Sequence, residues 1–135
     1  MLTTNRQIIG KTFIGLLKED IIHAMGTLQT CAGLESGIEA AIHAVRKSFE
    51  EECLLLVDTG NAFNKLNRKV SLENIKKLCP PKYTYLHNSY NTPTMLYLEN
   101  GNHILSQEGV TQGDNTAMAL YALSTRPLID TSIKQ

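Results

Sequence analysis

Apolar side chains recur at three- and four-residue intervals from residue 6 to residue 25. Ile9, Phe13, Leu16, Leu17, Ile21 and Ala24 share one stripe, while Arg6, Lys11, Lys18 and Glu19 lie off it. That spacing is the period of an amphipathic helix, and Gly26 is placed to end it. Residues 29–37 combine two glycines with small polar residues and read as a connection. Helical spacing returns with Ile38, Ile42, Val45 and Phe49, which predicts a second helix over 38–51 with Arg46 and Lys47 on its solvated side. The pattern then changes character. Residues 53–57 form an unbroken apolar run, as in a strand buried on both faces, and the run stops on Asp58.

Beyond Asp58 the elements shorten. Leu72, Ile75 and Leu78 predict a helix with Ser71 as its N-cap, stopped by Cys79-Pro80-Pro81. Tyr83, Leu86 and Tyr90 predict another helix over 83–91. Residues 95–98 and 103–105 read as two strands joined at Asn100-Gly101, a dipeptide suited to the two positive-φ positions of a type I′ hairpin turn. The loop 108–114 leads into a helix near Asn115 that carries Met118, Tyr121 and Ala122 and is ended or kinked by Pro127. The fold class that follows is mixed α/β (α+β): helices packed on a small, mostly antiparallel sheet that holds the Asp58 strand and the hairpin.

Composition narrows the picture. The 135 residues fit one domain or part of one; 42% are hydrophobic and 19% charged, enough apolar residue to bury a core. No apolar run is long enough to cross a bilayer, and no signal-peptide pattern precedes the first helix, so the expected location is intracellular, with no membrane partner. Thirteen basic and thirteen acidic residues cancel, so a nucleic-acid surface is not announced by a basic excess. Cys31, Cys53 and Cys79 are odd in number and lack C-x-x-C spacing, which reads as free thiols. His23, His43, His87 and His103 do not fall at zinc-ligand spacing.

Two stretches carry candidate chemistry. The first is the apolar run that delivers Asp58, followed by Thr-Gly and then Asn61-Ala62-Phe63. A carboxylate at the tip of a buried strand can hold a hard divalent cation such as Mg²⁺, which takes oxygen ligands; it can also simply cap the next turn. The second is Gln112-Gly113-Asp114, set between the hairpin and the last helix. Glycine lets backbone approach a ligand, Gln112 can hydrogen-bond a sugar or base, and the following helix N-terminus favours anions. As a plain loop, it would use Asp114 as an N-cap.

Together, Asp58-x-x-Asn61-Ala62-Phe63 and Thr111-Gln112-Gly113-Asp114 resemble the reverse transcriptase family, the RNA-directed DNA polymerases of retroelements. The order of elements from about Arg6 to Ile129 resembles the fingers–palm part of that domain. The resemblance implies a palm carboxylate at Asp58 that binds catalytic Mg²⁺, and a steric gate at Phe63 beneath the sugar of the incoming nucleotide, with Ala62 as its small neighbour. It implies a nucleotide- and template-contacting loop at Gln112 and Gly113. Deoxynucleotides and an RNA/DNA template-primer are the implied partners. The chain departs from the family in having no Asp-Asp pair and Asn115 where proline is common. It is expected to be one partial domain over residues 1–135, truncated at both ends and inactive alone. A non-catalytic nucleic-acid or protein binding remnant, and the product of a decayed mobile element, are the rival readings.

Overall fold

The structure, a computed structural model, describes residues 4–27, 29–30, 35–48 and 58–132. The expected 53–57 strand, Phe49, Cys31 and Cys53 lie outside the described residues. Within them the architecture is α+β, with six helices and a two-stranded antiparallel sheet.

Local sequence sets where the helices begin and end. The single helix expected over 6–25 is two, α1 (Thr4–Leu16) and α2 (Lys18–Met25). Leu17 stands between them at φ −115° and ψ 21°, and Glu19 and Asp20 occupy the first turn of α2, where negative charge favours a helix start. Across this break the apolar stripe divides. Ile21 and Met25 are buried, whereas Ile9 and Leu16 are exposed. Helix α3 (Gly37–Ser48) forms as expected, but its stripe of Ile38, Ile42 and Val45 faces solvent, because the core of the described residues does not extend to it.

Helix α4 (Arg68–Leu78) starts three residues earlier than Ser71. Asn67 is the N-cap, its Oδ1 accepting the Val70 N–H at 3.1 Å, and the Ser71 hydroxyl donates back to the Asn67 carbonyl at 2.7 Å. A short polar side chain immediately before the first turn satisfies an orphan donor there; Ser71, one turn inside, has no such donor to meet. Cys79 breaks the chain at φ −147° and ψ 69°, and α5 (Pro80–Tyr90) begins at once. The two prolines end one helix and open the next, since the first turn needs neither of their missing N–H groups.

Strands β1 (Thr94–Tyr97) and β2 (His103–Ser106) pair with Met95 opposite Leu105 and Leu96 opposite Ile104. The turn is not the expected two-residue type I′. Leu98 N–H bonds the Asn102 carbonyl and Gly101 N–H the Leu98 carbonyl, and of the turn residues only Gly101 has positive φ, at 81°. This is a three-residue connection ending in a left-handed glycine; Glu99 joins the loop, and Asn100 keeps a negative φ.

Helix α6 (Ala117–Ser132) runs through Pro127 rather than ending there. Carbonyls near the interruption find other donors: Ala122 accepts from Gln29 Nε2 and Ser124 from Asn74 Nδ2. Arg126 pairs with Asp130 across it. Helix α6 packs against α4 and α2, and α4 against α5. Between them lie Ile75, Leu86, Leu120 and Leu123, all essentially inaccessible.

One core occupant is a cation. Lys82, from the first turn of α5, is fully buried; among the described residues its ammonium has no hydrogen-bond acceptor, and it lies 5.1 Å from the Phe13 ring centre, itself stacked on Tyr85. Burial pushes its pKa down to about 8, against the pull of Cys79 and Asp20. The unfolded chain therefore holds a proton between pH 8 and 10.5 that the folded one gives up, and stability from this group rises with pH over that window. At neutral pH the buried ammonium therefore counts against folding. Lys82→Met is expected to raise the thermal midpoint at pH 7, and its advantage over wild type to shrink between pH 8 and 10.5. A variant no more stable than wild type at pH 7 would contradict this.

Candidate functional site

The turn that carries Phe63 is tied by its own polar residues. Asn61 adopts φ 58°, its carbonyl accepts the N–H groups of Asn64 and Lys65 at 3.1 Å, and its side chain accepts from Asn64 Nδ2 at 2.7 Å. Asparagine tolerates this left-handed geometry better than most residues. The turn then docks on the loop after the hairpin. The Phe63 carbonyl accepts the Val110 N–H and the Leu66 carbonyl accepts the Gly109 N–H, each at 2.8 Å. Gly109 has φ 72°, and a Cβ there would collide with the backbone of Asn64. Only glycine permits both the conformation and the approach.

Arg68 fixes the other side of that loop. Its guanidinium donates from Nε to the Gly109 carbonyl at 2.6 Å, from Nη1 to the Ser106 carbonyl at 2.7 Å, and from Nη2 to Ser106 Oγ and the Glu108 carbonyl. The residue is buried, and burial together with nearby Arg6 draws its pKa down while Tyr90 opposes. A planar fork with five donors suits several backbone acceptors at once.

Asp114 closes the loop onto the core. Its side chain is only 4% exposed. Oδ2 accepts from Tyr90 Oη at 2.6 Å and from Arg6 Nη2 at 2.9 Å; Oδ1 accepts from the Thr116 backbone N–H at 2.9 Å and Oγ1 at 2.8 Å. Burial pushes the carboxyl up, but the hydrogen bonds from Tyr90 and Thr116 and the Arg6 charge outweigh it and hold the pKa below its ordinary 3.8. Burial and the bond to Asp114 push the Tyr90 phenol up to about 12. Both arginines lie over the Tyr90 ring, Arg6 at 5.2 Å and Arg68 at 5.6 Å. Asn115, beside this group, donates from Nδ2 to the Gln7 carbonyl of α1 at 2.9 Å.

These ties gather three of the sequence-expected residues around one cavity of about 280 Å³. Phe63, Gln112 and Gly113 line it with Asp114, Ala117 and Met118. The Phe63 ring is backed by Tyr121, 5.1 Å away and tilted by 39°. Gln112 is exposed and also borders two neighbouring cavities, one of them walled by Arg6, Arg68 and the hairpin. Gly113 has φ 83° with open space beside it, so a side chain is disfavoured there by backbone strain alone. Ala62 is half-buried next to Phe63 but does not line the cavity, and Asp58 is exposed at the start of the turn, outside it.

Sequence reasoning missed Gly109 and the anchoring work of Arg68, Tyr90 and Arg6. For Arg68 a signal existed: it precedes Leu72 and Ile75 by four and seven residues, on the buried face of α4. As for Mg²⁺, no group of three or more His, Cys, Asp or Glu side chains capable of holding a metal occurs among the described residues. Asp58 is an isolated exposed carboxylate there, so these residues by themselves do not fit a two-metal centre. No protein-family model matches the chain, and neither does a curated protein or a solved structure.

Tyr90→Phe removes one donor from a buried carboxylate and is expected to cost about 1.5–3 kcal/mol in urea unfolding. Because the folded pKa of Asp114 is depressed, its contribution is complete above the ordinary carboxylate value and is lost as the pH falls through the folded one. The stability gap between wild type and Asp114→Asn is therefore expected to be steady from neutral pH to about pH 4 and to close below it. A gap that widens on acidification would overturn the assignment.

Proposed function

We propose that this chain is the nucleotide-contacting portion of a reverse transcriptase domain, the fingers–palm segment of an RNA-directed DNA polymerase from a retroelement. One observation carries the reading. Phe63 and Gln112-Gly113, far apart in sequence, line a single small cavity. In this reading the Phe63 ring, backed by Tyr121, is the wall against the sugar of an incoming deoxynucleotide. Gln112 supplies a hydrogen-bonding amide toward the nucleotide or template, and Gly113 lets the backbone come close. Ala62 leaves room beside the ring, and Asp58 offers one oxygen ligand at the edge of the turn.

No chemical step is assigned to these residues. Mg²⁺-dependent nucleotidyl transfer needs carboxylates that flank two cations, and the sequence contains no Asp-Asp pair. What the segment does is position: it holds a sugar and a base edge in fixed geometry, which lowers the entropic part of a later reaction barrier.

Two outcomes are expected. A polypeptide of these 135 residues gives no template-dependent primer extension with Mg²⁺ or Mn²⁺; extension above a mock preparation would contradict this reading of the segment. When the segment is joined to a basic fingers strand and an aromatic-x-Asp-Asp hairpin, Phe63→Val retains deoxynucleotide incorporation and admits ribonucleotides, while Asp58→Ala abolishes both. The loss of discrimination is expected to exceed the ~10–200-fold typical of one methylene in an apolar pocket. A folded Phe63→Val enzyme that discriminates as well as its parent would show that Phe63 is not the gate.

A further inference from the structure

A second cavity, about 550 Å³, lies elsewhere, between α4, α5 and the segment that enters the hairpin. It shares no lining residue with the Phe63 cavity. One wall is aromatic: the Tyr83 and His87 rings lie one turn apart on α5, 5.0 Å between centres and tilted by 43°, both half-buried. Asn91 Nδ2 lies 3.3 Å from His87 Nδ1. The opposite wall is cationic. Lys69 and Lys76 line the cavity from α4, seven residues and so about 10.5 Å apart along the axis. Both are exposed, and among the described residues neither pairs with a carboxylate. Among the described residues Glu73, between them, is the one acid on this wall, against Arg68 and the two lysines. The Lys76 ammonium rests 5.5 Å from the centre of the Tyr83 ring. A chain with no net charge thus places two lysines beside two half-buried aromatic rings that line a cavity.

That combination selects a ligand class. Every nucleobase has a π-face that stacks on an aromatic ring, and every flanking phosphate is an anion for an ammonium. Duplex bases are already stacked and offer no face. A volume of this size accommodates a small organic ligand, and the amides of Asn91 and Gln107 on the rim can meet a base edge. We propose that this groove binds single-stranded nucleic acid, one base stacked on the Tyr83–His87 pair and the adjoining phosphates held at Lys69 and Lys76.

The test is fluorescence anisotropy of the chain with a short, mixed-sequence single-stranded oligonucleotide across a salt series, with circular dichroism to confirm that each variant is folded. Two neutralised phosphates give a slope of log affinity on log salt of about −1.4. Lys69→Gln with Lys76→Gln is expected to bring the slope close to zero; both side chains are exposed, so this pair carries the test even if an aromatic variant fails to fold. Tyr83→Leu keeps apolar bulk but removes the stacking face, and is expected to weaken binding about 5- to 150-fold at unchanged slope. Lys47→Gln on α3 is expected to leave binding unchanged; the groove shares no lining residue with the Phe63 cavity, so loss of the polymerase reading would not by itself remove this site. The proposal is overturned by absence of binding at low salt, by a slope unchanged in the double lysine variant, or by duplex DNA binding as tightly as the single strand.

Discussion

A buried guanidinium that bonds backbone carbonyls, with no carboxylate partner among the described residues, is the constraint on which the site depends. Arg68 leaves the first turn of α4 and spends its donors on the carbonyls of Ser106, Glu108 and Gly109 and on the Ser106 hydroxyl. Those carbonyls belong to Ser106, the last residue of β2 and the ladder partner of Thr94, and to the loop that follows. A buried backbone acceptor without a donor costs on the order of 1–3 kcal/mol, so the arginine and the loop stabilise one another. Once the loop is fixed, Gly109 and Val110 meet the Phe63 turn, and Asp114 reaches Tyr90, Arg6 and Thr116. The two halves of the cavity are therefore positioned by one side chain on a helix that belongs to neither.

The same economy explains why the surroundings look uneven. The core formed by α2, α4, α5 and α6 is dense, and it accepts even a lysine over an aromatic ring. The hairpin and α3 stand away from it, with Met95, Leu96, Leu105, Ile38 and Ile42 exposed. A two-stranded hairpin is marginal in isolation; the arginine holds this one at its base. The polymerase reading and the single-strand groove lie on opposite sides of this anchor: Arg68 borders the groove, and through Gly109 it sets the Phe63 cavity.

Much of the fold was legible because period and punctuation agree. The two strands of the hairpin, the inward face of α4 and the Tyr83, Leu86, Tyr90 row of α5 follow directly from spacing, whereas the third loop residue, Glu99, shifts the strand register by one from that of a two-residue turn. Misplacements came where one local signal outranked another. Asn67 is a better-placed cap than Ser71; two prolines fit a helix start as well as a helix stop; Gly101 needs only itself, not Asn100, in a left-handed conformation. Pro127 lies inside α6, where side chains from outside the helix bond the carbonyls of Ala122 and Ser124 on either side of the one its missing N–H leaves open. In the site, the sequence marked the residues that face outward, Phe63, Gln112 and Gly113. It was silent on the anchors, since an arginine bonded to backbone carbonyls leaves no charge partner to find.

The account stands or falls on whether the Phe63 turn and the Gln112 loop are held as one unit, and amide hydrogen exchange under native conditions measures that directly. The amides of Gly109 and Val110 donate to Leu66 and Phe63 and are expected to exchange as slowly as the Leu120 amide in the middle of the core, opening only with global unfolding. Exchange of Gly109 and Val110 near the free-peptide rate, while Leu120 stays protected, would mean that the two loops move independently and that no shared cavity exists.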